Sequence, residues 1–141
     1  MNNAVFEFSD AEIKKLKELP IGAVVLFGSQ AQNIANNDSD YDFGIILSDK
    51  KILSSPEKRS VIYEELYDLL ADHINQLTNI DIVFLETAPA ELQFHVVKFG
   101  QLLYEAHLGA FANYKANVIE SYADFALLRN IFERGVLNQI K

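Results

Sequence analysis

The 141-residue chain has room for one domain with a core of its own, and half of its residues are hydrophobic. Its 12 basic and 20 acidic residues give a formal charge of −8, which disfavours direct binding to nucleic acid. The absence of cysteine excludes disulfides, thiolate nucleophiles and cysteine-ligated zinc. No apolar run reaches the roughly 18 residues of a membrane span, and no signal-peptide pattern begins the chain, so we expect a cytoplasmic protein.

The predicted elements alternate between helices and strands. A capping-box pattern from Ser9 to Glu12 begins a short helix that ends at Pro20, and the apolar run 23–27 predicts a strand buried on both faces. Small and polar residues at 30–40 predict a loop with at most one or two helical turns. Further strands are expected at 41–47, 79–85 and 101–104, and further helices at 54–77, 89–99 and 108–137. This order predicts a single domain, residues 1–141, of α/β or α+β class.

Three aspartates interrupt these otherwise apolar strands. Asp40 and Asp42 lie two residues apart at the start of the second strand, so alternation places both side chains on one face, and Asp81 can join them if the third strand is its neighbour. A buried carboxylate needs a partner, and no lysine or arginine lies close to these three in sequence. Oxygen ligands of this kind suit Mg²⁺, so we expect a divalent cation here.

A glycine turn ends the first strand at Gly28-Ser29. Glycine at such a turn lets a phosphate group approach the main-chain amides, and the Ser29 hydroxyl adds a donor. A phosphate-binding turn beside a magnesium site favours a nucleoside triphosphate as the substrate.

Gly28-Ser29, ten further residues and then Asp40-Tyr41-Asp42 resemble the signature of the minimal (MNT) branch of the DNA polymerase β-like nucleotidyltransferases. The resemblance continues through Asp81, Ala88-Pro89, residues 100–105 and the aromatic C-terminal segment, and it covers most of the chain. It implies the polymerase β-like fold, a small mixed sheet flanked by helices with a long C-terminal helix.

The resemblance is strongest to the MNT antitoxins, which are paired with HEPN-domain ribonuclease toxins and transfer AMP from ATP to a toxin tyrosine. It implies that Asp40 and Asp42 are shared ligands of two Mg²⁺ ions and that Gly28 and Ser29 hold the triphosphate. Asp81 would complete one metal site and help to activate the acceptor hydroxyl for attack on the α-phosphorus. The implied partners are therefore ATP and a HEPN toxin.

Two alternatives stay open, the first because the chain departs from the family pattern and the second because other nucleotidyltransferases share the core motif. Many relatives continue Gly-Ser-x-Ala with Arg-Gly, whereas this chain has Gln32-Asn33 and lacks that cation. The first alternative is a non-catalytic antitoxin that neutralises a HEPN partner by complex formation. The second is a nucleotidyltransferase that modifies an antibiotic or another small molecule.

Two further patterns concern calcium and a protein partner. The alternating acids from Asp38 to Asp42 resemble a calcium loop, but Phe43 stands where the turn glycine belongs and Asp49 where a bidentate glutamate belongs. The C-terminal helix carries aromatic residues that do not share one narrow stripe, so we expect some of them to be exposed for a partner protein. These are Tyr114, Tyr122, Phe125 and Phe132.

Overall fold

The computed structural model of the chain describes residues 6–28, 31, 40–74 and 79–140, with the backbone alone at 125, 127, 128, 132 and 135–140. Within these ranges the strands are β1 (Ile21–Phe27), β2 (Tyr41–Leu47), β3 (Ile80–Phe84) and β4 (Gln101–Glu105). The α-helices of the same ranges are α1 (Asp10–Lys17), α2 (Pro56–Ile74), α3 (Ala90–Phe99) and α4 (Ala110–Ile140). The predicted series of helices and strands is confirmed, and the predicted class of mixed sheet, flanking helices and long C-terminal helix is confirmed with it.

The strands form one mixed sheet in the order β3-β2-β1-β4. β1 is antiparallel to both β2 and β4, and β2 is parallel to β3. Every residue of β1 is buried, as its uninterrupted apolar sequence predicts, although the strand begins two residues earlier than the predicted Ala23. α1 ends at Lys17, three residues before the predicted end at Pro20, and Ile21 directly after the proline already pairs with Leu47.

Apolar side chains cover the sheet on both faces. One cluster joins alternate residues of the central strands to α1 and α2, with Leu16, Phe43 and Leu66 fully buried in it. The other joins the intervening residues, among them Val25 and Ile46, to α3 and α4. The side-chain alternation that Asp42 shares with Ile46 therefore places Asp42 on the α3 and α4 face.

The ends of α1 follow local sequence rules. Ser9 accepts a hydrogen bond from the Glu12 amide at 3.2 Å, and Glu12 accepts one from the Ser9 amide at 2.8 Å, which confirms the predicted capping box. Two short 3-10 helices, Lys50–Ser54 and Leu85–Thr87, were not predicted, because three to five residues carry no periodicity to read. None of the described helices has the length and apolar composition that a membrane span requires.

Candidate active site

The glycine turn brings the main chain against a carboxylate. Phe27, the last residue of β1, is the register partner of Asp42, so the next residue, Gly28, lies directly beside the Asp42 side chain. Gly28 has a φ of 78°, and a Cβ atom built there would overlap the Asp42 carboxylate. Only glycine combines this left-handed backbone with so close an approach. Both the backbone conformation and the contact with Asp42 therefore require glycine at position 28.

Two of the three predicted aspartates are register partners on neighbouring strands. β3 lies next to β2, and Asp42 pairs with Asp81 across them. Burial raises the pKa of Asp42, and the nearby carboxylates of Asp81 and Asp40 raise it further. These residues form a cluster of like charge at one end of the sheet, and a cation placed among them would relieve the repulsion. We call Gly28, Asp40, Asp42 and Asp81 the aspartate site.

Asp40 occupies a looser position than the other two acids. It precedes β2 and is exposed, as is Asp81, whereas Asp42 is half-buried. Within the ranges that the structure describes, no three acidic or histidine side chains are arranged to hold a metal ion. The donor chemistry nevertheless fits Mg²⁺, because carboxylate oxygens are its usual protein ligands. Asp42 and Asp81 are the pair that the fold brings together.

Several predicted features of the phosphate-binding turn lie outside the described residues. Ser29 is among them, and so are Gln32 and Asn33, where the chain departs from the family pattern, and Asp38 of the rejected calcium loop. The structure therefore describes Gly28 of the predicted triphosphate-binding pair. The roles of both residues stay predictions.

Two of the aromatic residues of α4 that were expected to be exposed contact α3 instead. Tyr114 is half-buried and its hydroxyl donates a hydrogen bond to Gln93 Oε1 at 2.8 Å, while Tyr122 stacks on Phe94 with ring centroids 4.2 Å apart. The side chains of Phe125 and Phe132 lie outside the described part. Among the side chains of this helix that the structure describes, Ile119 and Ile131 are the large apolar residues that are exposed.

A cleft at the end of the sheet opposite the aspartate site, and the glutamate beside it, were not predicted from the sequence. Glu86 lies in the second 3-10 helix and its side chain reaches back to the end of β2, where Oε2 accepts a hydrogen bond from the Leu47 amide at 2.9 Å. Nothing in the local sequence Leu85-Glu86-Thr87 indicates this contact, since it joins residues 39 positions apart.

The chain matches the model of a known protein family. A model described as "Polymerase beta, Nucleotidyltransferase" matches residues 12–107, which is more than half of the chain and includes the whole aspartate site. The chain belongs to the polymerase beta nucleotidyltransferase family. The match ends before α4, so this helix lies outside the part by which the family is recognised. A comparison with curated proteins found no significant relative.

Solved structures share the fold of this nucleotidyltransferase at low sequence identity. A chain of a toxin-antitoxin structure with AMP-PNP is 22% identical and superposes with a TM-score of 0.65, covering 92% of this chain and 99% of that one. A chain of a Shewanella oneidensis structure of a tri-AMPylated HEPN toxin in complex with an MNT antitoxin is 20% identical, with a TM-score of 0.57, and the match covers 90% of this chain and 97% of that one. A chain of a second Shewanella oneidensis structure is 19% identical, with a TM-score of 0.62, and the match covers 96% of this chain and 99% of that one.

Proposed function

We propose that this nucleotidyltransferase is an MNT antitoxin that transfers AMP from ATP to a tyrosine hydroxyl of a HEPN toxin in the cytoplasm, with Mg²⁺ as its cofactor. Family membership supports the class of reaction. Two of the similar chains come from toxin-antitoxin structures, one with AMP-PNP and one with a tri-AMPylated HEPN toxin, and this supports the choice of nucleotide and partner.

The observation that carries the proposal is the meeting of a glycine turn and two carboxylates at adjacent strand ends. Gly28 leaves no room for a side chain beside Asp42, and Asp42 faces Asp81 in register. A triphosphate at the turn would therefore have its phosphorus atoms next to acidic oxygens, an arrangement that is favourable only with cations between them.

Each residue of the site then has a defined part in the proposed reaction. Gly28 and Ser29 hold the triphosphate, and Asp40 and Asp42 hold two Mg²⁺ ions, which when bound supply the charge that stabilises the attacking and leaving oxygens. Asp81 completes one metal site and orients the acceptor hydroxyl, whose oxygen attacks the α-phosphorus while pyrophosphate leaves. The hydroxyl proton passes to the Asp81 carboxylate, which helps to activate the acceptor.

The test is a transfer assay with this chain, ATP labelled in the adenosine, Mg²⁺ and the product of any adjacent HEPN gene. We expect label on the HEPN protein with the wild type and no label with Asp42→Asn. Asp68→Asn is the matched control, because Asp68 is an exposed aspartate on α2, and it should transfer as the wild type does. Equal transfer by Asp42→Asn and the wild type would contradict the proposal.

A non-catalytic antitoxin is the second candidate. The replacement of the family's arginine by Gln32 favours it. The same assay separates the two: a stable complex without label indicates neutralisation by binding alone. Label on an added aminoglycoside but not on the HEPN protein would indicate the small-molecule nucleotidyltransferase.

A further inference from the structure

Phe99, the last residue of α3, is an exposed aromatic residue at the aspartate end of the sheet. The residue is 43% exposed. β4 begins two residues later at Gln101, whose register partner on β1 is Leu26, and Gly28 follows Leu26 by two residues. The spacings within and between strands therefore place Gln101 on the order of 10 Å from the glycine turn. Phe99 precedes it directly at the same end of the molecule.

Phe99 also lies on the face of the sheet to which Asp42 belongs. α3 and α4 both pack on β1, on the face that strand alternation assigns to Asp42. Gln93 and Phe94 of α3 contact α4, and Phe99 follows them by six and five residues, which corresponds to about 120° and 140° around a helix. Phe99 is therefore on the flank of α3 that is turned away from α4.

The corner between α3 and β4 fixes the backbone at Phe99. Gly100 donates its amide hydrogen to the Val96 carbonyl at 2.7 Å. A Cβ atom built at Gly100 would overlap both that carbonyl and the Val25 side chain of β1. The corner is therefore packed directly on the strand that leads to the glycine turn, and Phe99 has a defined position relative to that turn.

Two neighbours on α3 hold the Phe99 ring and leave part of it exposed. The His95 ring lies at a centroid distance of 5.1 Å and is tilted by 51°, and Lys98 Nζ lies 5.2 Å from the Phe99 ring centroid. Among the described residues the other exposed large aromatic side chains are those of Tyr63 and Tyr67, and both belong to α2 on the opposite face of the sheet. Phe99 is therefore the one of these three that shares a face with the aspartate site.

We propose that Phe99 stacks on the base of the nucleotide whose triphosphate is held at Gly28, an inference that rests on the proposed function. An aromatic side chain offers a base a flat apolar surface, and every base has a π-face that can use it. The contact therefore distinguishes a nucleotide from inorganic triphosphate and does not by itself select adenine. Phe99 holds the nucleoside end of ATP while the turn holds the phosphate end.

The absence of tryptophan from the chain allows a direct test of stacking. Phe99→Trp keeps a flat ring at this position, and its fluorescence should be quenched when ATP binds with Mg²⁺ and should not change when inorganic triphosphate binds with Mg²⁺. Tyr67→Trp is the matched control, because Tyr67 is 40% exposed but lies on α2. ATP should leave the fluorescence of this control unchanged.

Calorimetric titration of the same ligands measures the effect on affinity. Phe99→Ala should weaken ATP binding about five- to tenfold, as loss of one stacked base does, and should bind inorganic triphosphate as the wild type does, which also shows that the variant is folded. Phe99→Tyr should retain the ATP affinity of the wild type.

Three results would overturn the stacking contact and leave the proposed function standing. They are an unquenched Phe99→Trp, equal ATP affinity of Phe99→Ala and the wild type, and equal weakening of ATP and inorganic triphosphate by Phe99→Ala. If the wild type bound neither ATP nor inorganic triphosphate in the presence of Mg²⁺, the proposed function and the stacking contact would fail together.

Discussion

The two ends of the sheet hold carboxylates in opposite electrostatic situations. At one end Asp42 has other carboxylates as neighbours, whereas at the other end the Glu86 carboxylate accepts hydrogen bonds from backbone amides, among them that of Leu47. The first arrangement comes from strand register and a glycine turn, which are encoded at fixed spacings in the sequence. The second comes from a short 3-10 helix folding back on β2. A cation would relieve the repulsion at the aspartate site, whereas backbone donors already face the carboxylate of Glu86.

The largest effect that separates the two ends is expected from Gly28→Ala. A side chain at this φ of 78° costs about 1 to 3 kcal/mol of stability, and its Cβ would also displace the Asp42 carboxylate. Gly109 has a φ of 95° with open space around its Cβ position, so Gly109→Ala has the backbone cost alone. We expect both variants to unfold at lower urea concentration and Gly28→Ala alone to lose AMP transfer. Wild-type transfer by Gly28→Ala would show that the close approach to Asp42 has no catalytic importance.

Removing one charge from the aspartate site should stabilise the protein when metal is absent. Like charges opposite each other on neighbouring strands cost about 0.2 to 1 kcal/mol, so Asp42→Asn should raise the free energy of unfolding by up to about that amount in EDTA. Mg²⁺ should stabilise the wild type and have a smaller effect on the variant. Urea denaturation with and without Mg²⁺ measures both quantities. A variant that is markedly less stable in EDTA would mean that Asp42 has a structural role.

The sequence predicts the aspartate end of the molecule better than the far end. Asp40 and Asp42 stand at a fixed spacing from Gly28, and the alternation of apolar residues around Asp81 identifies its strand, so adjacency of β2 and β3 was sufficient to bring Asp42 and Asp81 together. Glu86 had no such pattern, because its contact with Leu47 depends on the path of the chain after β3. The hydrogen bond from Tyr114 to Gln93 could not be predicted for the same reason, because α3 and α4 meet only in the folded protein.

Glu86, at the end of the sheet away from the aspartate site, should make the free energy of unfolding depend on pH. The pKa of Glu86 is raised in the folded protein from its ordinary value of 4.5, so the folded state holds the proton more tightly than the unfolded state. Its contribution is fully present below pH 4.5 and is lost as the pH rises through the folded-state pKa. Lys50, His107 and Tyr114 share the cleft, and the charge of Lys50 partly offsets the shift.

The measurement for this expectation is urea denaturation of the wild type and Glu86→Gln between pH 4 and pH 8, about the range over which such a carboxyl titrates. The variant should gain stability relative to the wild type as the pH rises. Glu91→Gln should give a flat difference, because Glu91 is exposed on α3. A flat difference for Glu86→Gln as well would mean that the fold does not disfavour ionised Glu86.

Replacing Glu12 should change the free energy of unfolding least, and its pH dependence should have the opposite sign to that of Glu86. It therefore serves as a reference for the Glu86 measurement. Burial opposes the shift, but the Ser9 backbone amide and the side chain of His73, whose Nδ1 lies 2.9 Å from Glu12 Oε1, together lower the pKa of Glu12 from its ordinary value of 4.5. A lowered pKa contributes stability above pH 4.5 that is lost as the pH falls through the folded-state pKa. Glu12→Gln keeps a side chain suited to the capping box and removes the charge, so it should cost about 0.5 kcal/mol at pH 6 and less at pH 3. Opposite slopes for Glu12→Gln and Glu86→Gln in one set of denaturation curves would assign each to its own carboxylate, whereas parallel slopes would indicate a general effect of net charge.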